Sequence, residues 1–404
     1  MSRTPNAAFA VVLAAIALAS PLAIHLFLPV IPWLKADFGL SDALAQLAFS
    51  ISLFTMAFTT LVYGALSDRF GRRPVLLSGL ALFLVGSAAS AFAETAPLLI
   101  GGRVVQAMGA GAGVALSRVI ARDAYGPEAL VKAIAYLTMA YTLGPFIAPP
   151  VAGLLVDSFG WRSVFWFALG AGGLIAAGAY FILYETHTAA MRGTALSALD
   201  MLRGYGRLFA NPRFDAFVLQ TSFSSGTFFT LAGASSTMMQ VYLGRPATEF
   251  GLFFAFCPAG YFAGNLIASR MSGRVRLETM VLAGSALLLA SVIAQAAFVL
   301  SDIVTPLVIF VPAFAIAVAQ GLALSNAQAG AIRTIPALAG TASGIGVFLQ
   351  LLGGAVFSQL YGLFADGTPL PMIAVMAVAG SLTFACGLCA FLLRSRPAAP
   401  EPAS

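Results

Sequence analysis

Reactive side chains are scarce in this chain, and their placement narrows what it can do. Among 404 residues there are two histidines, three cysteines and 15 carboxylates. Histidine is the side chain whose ordinary pKa lies near neutrality, and His25 falls inside a long apolar run, 7–34. Arg103 also lies within an apolar run, while every other Lys and Arg falls at or beyond a run's end. A guanidinium at that depth costs about 2.5 kcal/mol or more to insert and normally faces a protein interior or a cavity. No carboxylate shares this position. Asp37, Asp42, Glu94, Asp157, Glu249, Asp302 and Asp366 sit at one set of run ends. Asp68, Asp123, Glu128, Glu185, Asp200, Asp215, Glu278 and Glu401 sit at the other set, in the central segment or in the tail. Neither His25 nor His187 has the Cys, His or acid neighbours that a metal or nucleophilic site needs. Cys386 and Cys389 share a helix face with no acid or His beside them, so they read as packing residues. The two lysines follow Leu34 and Val131, which leaves no Gly-Lys phosphate loop. The expectation is no enzyme, no metal and no cofactor.

The elements that must carry these residues follow from composition. Hydrophobic residues make up 60% and charged residues 9%, far below the roughly 25% charged share of a soluble domain. The apolar runs are near 20 residues, the length of a helix crossing a hydrocarbon core of about 30 Å, and too long for barrel strands. Twelve can be drawn, at 7–34, 44–66, 75–93, 97–117, 132–156, 162–184, 214–242, 247–269, 278–300, 303–330, 337–364 and 369–393. The first is too long for a signal peptide, and Pro29 and Pro32 near its end do not read as a cleavage site. Seventeen of the 21 Lys and Arg then fall on one side and Lys35, Arg162 and Arg245 on the other. That asymmetry puts both termini in the cytoplasm, with the basic loops against anionic lipid, and removes nucleic acid as the reason for a net charge of +6.

The loop between the second and third runs reads Gly64-Ala-Leu-Ser-Asp68-Arg69-Phe-Gly71-Arg72-Arg73-Pro74. It resembles the signature loop between helices 2 and 3 of the major facilitator superfamily of secondary transporters. About 202 residues later, Arg270-Met-Ser-Gly273-Arg274 echoes it, as parallel halves would. The resemblance implies an all-α membrane fold of twelve helices. They would form two pseudo-symmetric six-helix bundles, residues 1–184 and 214–404, joined by a cytoplasmic loop, 185–213, with the substrate between them near the midplane. It also implies a conformational latch of Asp68, Arg69, Arg72, Arg73 and Asp123. Asp68 would cap the start of helix 11 near Pro336-Ala-Leu-Ala-Gly340-Thr341, and Arg72 would pair with Asp123, only when the cytoplasmic side is closed.

Further motifs narrow the resemblance. Gly101-Gly-Arg103-Val-Val-Gln106-Ala-Met-Gly109-Ala-Gly111 is similar to the superfamily's helix-4 motif. Two roles stay open for Arg103: bonding helix carbonyls, or contacting protons and substrate in a cavity. Span 5 carries Gly144, Pro145, Pro149 and Gly153, which resemble the Gly-Pro motif of exporters, although Ala148, Pro149 and Pro150 stand where the pattern prefers glycine. Phe27-Leu-Pro29-Val-Ile-Pro32, Ala319-Gln320-Gly321-Leu322 and Ala339-Gly340-Thr341-Ala-Ser343-Gly344 resemble the Bcr/CflA subfamily of drug–proton antiporters. That subfamily usually has an Asp where this chain has His25. His25 is therefore the candidate for the coupling proton or a substrate contact, its alternative being helix packing, with Arg103 as the second charged wall. Phe27, Gln106, Tyr141, Phe228, Phe229, Asn265, Asn326 and Gln350 are the candidate cavity residues, a permissive apolar lining with a few amides. The implied function is efflux of small amphiphilic compounds, neutral or anionic ones favoured, against protons. The protein would be a monomer in the bacterial inner membrane. A dedicated exporter of one metabolite or siderophore is the second reading.

Overall fold

Backbone N–H and C=O groups in hydrocarbon find no water, so each apolar run has to satisfy its own, and each does so as a helix. The structure, a computed structural model, describes residues 5–187 and 198–394. Arg3, Arg192, Arg396, Glu401 and residues 188–197 of the expected central loop lie outside the described residues. The first half holds α1 (Ala7–His25), α2 (Ile31–Phe38), α3 (Asp42–Phe70), α4 (Arg72–Ala91), α5 (Ala96–Ala124), α6 (Pro127–Phe159) and α7 (Arg162–Ile182). A linker helix, α8 (Ala198–Phe209), follows. The second half holds α9 (Pro212–Thr237), α10 (Ala247–Phe254), α11 (Phe256–Met271), α12 (Leu277–Leu300), α13 (Pro306–Thr334), α14 (Ala339–Phe364) and α15 (Leu370–Leu392).

Two expected spans are broken, each at a proline. Span 1 is α1 and α2 joined by a 3-10 turn, Leu28–Val30, where Pro29 and Pro32 remove helical donors, and His25 is the last residue of α1. Span 8 is α10 and α11, parted at Ala255, because Pro258 cannot donate to the carbonyl of Phe254. Eleven helices among the described residues are long and apolar enough to cross a membrane. The remaining expected span, α9, is long enough but carries Gln220, Thr221, Ser222, Ser224, Ser225, Thr227 and Thr230. Most of α9 is buried, so protein rather than lipid surrounds those hydroxyls. It continues past Thr237 as one wide turn, Met238–Tyr242.

The halves meet along two helix pairs, α3 against α14 and α6 against α10, with α2 and the Leu28–Val30 turn against α9. The basic loops, 69–73 and 270–276, lie at one end of these helices, termed here the basic face. The other end, with Asp42, Asp157 and Ala247, is the opposite face.

Candidate functional site

The polar contacts between the halves lie toward one end. Near the opposite face Gln46 Nε2 donates to Ser358 Oγ (2.6 Å), Ser50 Oγ to Gln359 Oε1 (2.6 Å), and Gln359 Nε2 to the Ala43 carbonyl (3.1 Å). Ser236 Oγ donates to the Leu28 carbonyl (2.6 Å), Gln240 Nε2 to the Pro29 carbonyl (3.1 Å), and Trp33 Nε1 to Gln240 Oε1 (3.0 Å). The break in span 1 exposes these carbonyls for capture, since Pro32 cannot bond back to Leu28. Asp157, at the end of α6, completes the seal. It accepts from Ala247 N (3.1 Å), Thr248 N (2.7 Å) and Thr248 Oγ1 (2.6 Å), the first residues of α10. The residue before α10 is Pro246, which offers no side-chain cap of its own. One half thus supplies the helix cap of the other, where a carboxylate is favoured by the helix dipole.

Toward the basic face the contact between the halves loses its hydrogen bonds, although Leu61 of α3 still lies beside Gly344 of α14. Phe58 of α3 still meets Phe348 of α14, with ring centroids 5.1 Å apart. Beyond that depth no hydrogen bond between the halves is recorded among the described residues. The expected cap of helix 11 is therefore not formed. The first residues of α14 have no side-chain cap, and Asp68 pairs with Arg72 Nη1 (2.5 Å). The physical reason is reach: with the halves parted, the nearest cation to Asp68 is on its own loop. The rest of the loop is assembled. Arg72 Nε donates to Asp123 (2.9 Å), and Nη1 also bonds Ser67 Oγ (2.6 Å); the pair is expected only with the basic face closed, but both residues belong to one half, so it forms without the other. Arg73 donates to the Tyr180 carbonyl (2.7 Å), while Arg69 is exposed beside Phe70. Glu185, unassigned from sequence, accepts from the backbone N–H of Arg72 (2.9 Å) and Arg73 (3.1 Å) and so caps α4. Gly71, at φ +98°, makes the turn, and a side chain there would strike Glu185.

Arg103 is only 2% exposed. Its guanidinium donates to the carbonyls of Ala23 (3.1 Å) and Ala48 (3.4 Å) and to Gln106 Oε1 (2.5 Å), and lies 4.1 Å from the Phe27 ring centroid. Gln106 passes the bond on to Ser87 Oγ (2.8 Å). Arg103, Phe27 and Gln106 thus form one buried node tying α1, α3, α4 and α5, with Arg103 Nη2 lacking a partner among the described residues. His25 is buried as well. Its Nδ1 lies 2.8 Å from the Pro21 carbonyl, which can only accept, so Nδ1 carries the proton and Nε2 is the basic nitrogen. Phe254 of the second half packs near its ring, with centroids 6.1 Å apart.

The other expected cavity residues divide. Phe228 and Phe229 pack together (5.3 Å) and reach Phe254 and Phe49 respectively, lining the contact between halves. Tyr141 is 38% exposed although it lies mid-helix. Asn265 donates to the Tyr261 carbonyl (2.9 Å) and accepts from Ser325 (3.1 Å). Gln350 accepts from Gln328 (3.2 Å). Asn326 turns aside toward Met280 of α12. In the Gly-Pro motif, α6 stays helical through Pro145 and Pro149. Its glycines serve close approach: a Cβ on Gly144 would strike Pro21 of α1, and one on Gly153 the Ala247 carbonyl of α10.

The arrangement is two helical halves bonded across one membrane face and open at the other, the layout of a carrier that exposes its site to one side at a time. The sequence profile of the Major Facilitator Superfamily matches residues 13–358, and the chain belongs to that family. It is 28% identical over 373 residues to a bicyclomycin resistance protein homolog of Haemophilus influenzae, covering 91% of this chain and 92% of that one. It is 27% identical over 372 residues to the multidrug resistance protein MdtL of Escherichia coli, covering 90% and 94%. Among solved structures, a bacterial homolog of the human lysosomal transporter Spinster, inward-facing and unoccupied, superposes with a TM-score of 0.74 at 18% identity, covering 96% of this chain and 98% of that one. A D323A mutant of the nucleoside transporter NupG superposes with a TM-score of 0.78 at 10% identity, covering 95% and 99%.

Proposed function

We propose that this protein exports small amphiphilic compounds, drugs among them, across a bacterial inner membrane by proton antiport. The observation that carries the reading is the one-sided seal: the halves are hydrogen-bonded near the opposite face and parted at the basic face. The excess of Lys and Arg assigns the basic face, and with it both termini, to the cytoplasm. The structure is then the state that loads substrate from inside. The names of the two relatives, both resistance proteins, support outward transport. Residues 1–184 and 214–404 act as the two rocking units, joined by 185–213, and the protein works as a monomer.

In this reading His25 Nε2 takes the coupling proton, and Arg103 fixes the polarity of the site. With no carboxylate in mid-span, the cavity favours neutral or anionic compounds over cationic drugs. Phe228, Phe229, Tyr141, Asn265 and Gln350 offer an apolar wall with a few amides. The single-metabolite reading draws on the same fact, a span-1 His25 where the drug antiporters usually carry Asp.

The experiment is drug accumulation in efflux-deficient cells expressing the wild type or His25→Ala, with and without an uncoupler. Lower accumulation in wild type, abolished by the uncoupler and by the variant, is expected. Export in the variant that keeps its pH dependence would remove His25 from coupling. No change for any of a neutral, anionic and cationic panel would remove the multidrug reading.

A further inference from the structure

A line of rings crosses from one half to the other and back. His25 of α1 faces Phe254 of α10 with centroids 6.1 Å apart, Phe254 meets Phe228 of α9 (6.4 Å), Phe228 meets Phe229 (5.3 Å), and Phe229 returns to Phe49 of α3 (6.3 Å). These spacings fall within the range of about 4.5–7 Å at which rings attract one another. The line lies just inside the seal: along their helices Phe49 is roughly 5 Å from Gln46 and Phe229 roughly 10 Å from Ser236. Four of the five rings are buried, and Phe228 alone is partly exposed. Its neighbours Thr227 and Phe229 are buried, and the line it belongs to runs where the halves meet. The open side of Phe228 therefore faces the cleft and not lipid. Its backing is fixed, because a Cβ on Gly354 of α14 would strike the Phe229 ring and the glycine leaves the room that this ring fills. Phe228 meets Phe229 at 74° and Phe254 at 63°, edge to face in both cases, and no parallel ring lies against it among the described residues. Parallel stacking does occur in the same cluster, with Phe253 on Phe310 at 26°.

We propose that the open face of Phe228 is a stacking platform for planar aromatic compounds at the floor of the cleft. A flat ring laid on that face displaces water from apolar surface and adds one member to the line. Flatness is what the platform reads. A saturated ring system of the same size is thicker, cannot meet a ring face across its whole area, and has no π-cloud to pair with the rings around it. Phe229 and Phe254 brace the platform from behind, so binding costs little side-chain freedom. Both ends of the line, His25 and Phe49, belong to the first half, and its middle belongs to the second. A ring bound at Phe228 thus sits where relative motion of the halves would part the line. The platform rests on the export reading and sharpens its substrate class to amphiphiles with a planar aromatic body.

The test uses 2-naphthamide and its decahydro counterpart, which share an uncharged head group and differ in flatness. Equilibrium binding of each to the purified protein is measured for wild type, Phe228→Leu and Phe228→Trp. The expected result is tighter binding of the naphthamide in wild type and a loss of about 10-fold in Phe228→Leu, with the decahydro compound nearly unaffected. Phe228→Trp, which keeps a flat face, should retain the naphthamide. Equal affinities of the two compounds in wild type, no binding of the naphthamide, or an equal fall for both in Phe228→Leu overturns the platform. The wild-type comparison and the Trp variant decide the matter if the Leu variant does not fold. Binding needs no proton gradient, so the two readings fail separately. Flat-ring selectivity in a protein that changes no drug's accumulation in cells would remove export and keep the platform, and export without that selectivity would do the reverse.

Discussion

Arg103 and Gln106 together hold four helices, with Gln106 reaching α4 through Ser87. The donors of Arg103 reach carbonyls on α1 and α3 and an amide on its own helix, and its flat face covers Phe27. Bonds from a charged donor contribute roughly 1.5–3 kcal/mol each, and removing the cation leaves buried acceptors unpaired. Arg103→Ala is therefore expected to destabilise the protein by about 2–4 kcal/mol. Arg103→Lys should recover little, because an ammonium cannot span two helix carbonyls and an amide in one plane. Thermal unfolding of purified variants checks both. The sequence reading located Arg103 and His25 correctly as buried polar residues, because a charge inside an apolar run is visible without coordinates.

At the scale of the helix pair, Asp157 and α10 form the seal's most directed contact. Loss of a cap costs roughly 0.5–2 kcal/mol. Asp157→Ala is expected to shift the equilibrium away from the present state by several-fold. The readout is alkylation of a single cysteine placed at the buried Ser236, which should speed up in the variant; an unchanged rate would show that the cap does not bias the seal. The twelve helices were legible because hydrocarbon forces every run to satisfy itself. The breaks at Ala255 and Leu28–Val30 follow from prolines that were in plain view. The pairings of Gln46 with Ser358 and Asp157 with Thr248 were not legible, since they join residues about 90 to 312 positions apart by no periodic signal.

At the scale of the whole molecule, the two faces use the same device in alternation. An acid on one half is available to the start of a helix on the other: Asp157 for α10 at the closed face, and Asp68 for α14 at the open one. In the proposed cycle, closing the basic face would turn Asp68 from Arg72 toward the uncapped residues at the start of α14. With spin labels at Leu66 and Gly340, wild type is expected to populate both a long and a short distance, and Asp68→Asn to lose most of the short one. A short population that persists in the variant would leave Asp68 out of closure. Glu185 predicts a separate behaviour, since it caps α4 inside one half. Glu185→Ala should lower thermal stability by about 1 kcal/mol while leaving the distance distribution alone.

The seal at the opposite face has a consequence for the medium it meets. Its cross-half contacts are amides, hydroxyls and one carboxylate on backbone N–H groups. The ion pairs recorded near that face, Lys35–Asp42, Asp37–Arg162 and Arg245–Glu249, each stay within one half. Mobile ions weaken attraction between separated charges and do little to short contacts of the first kind. Raising ionic strength from about 0.01 M to 1 M, which shrinks the screening length from about 30 Å to 3 Å, should leave the alkylation rate at position 236 nearly constant. This seal is set by geometry and by helix dipoles, and brine and fresh water should find it equally shut.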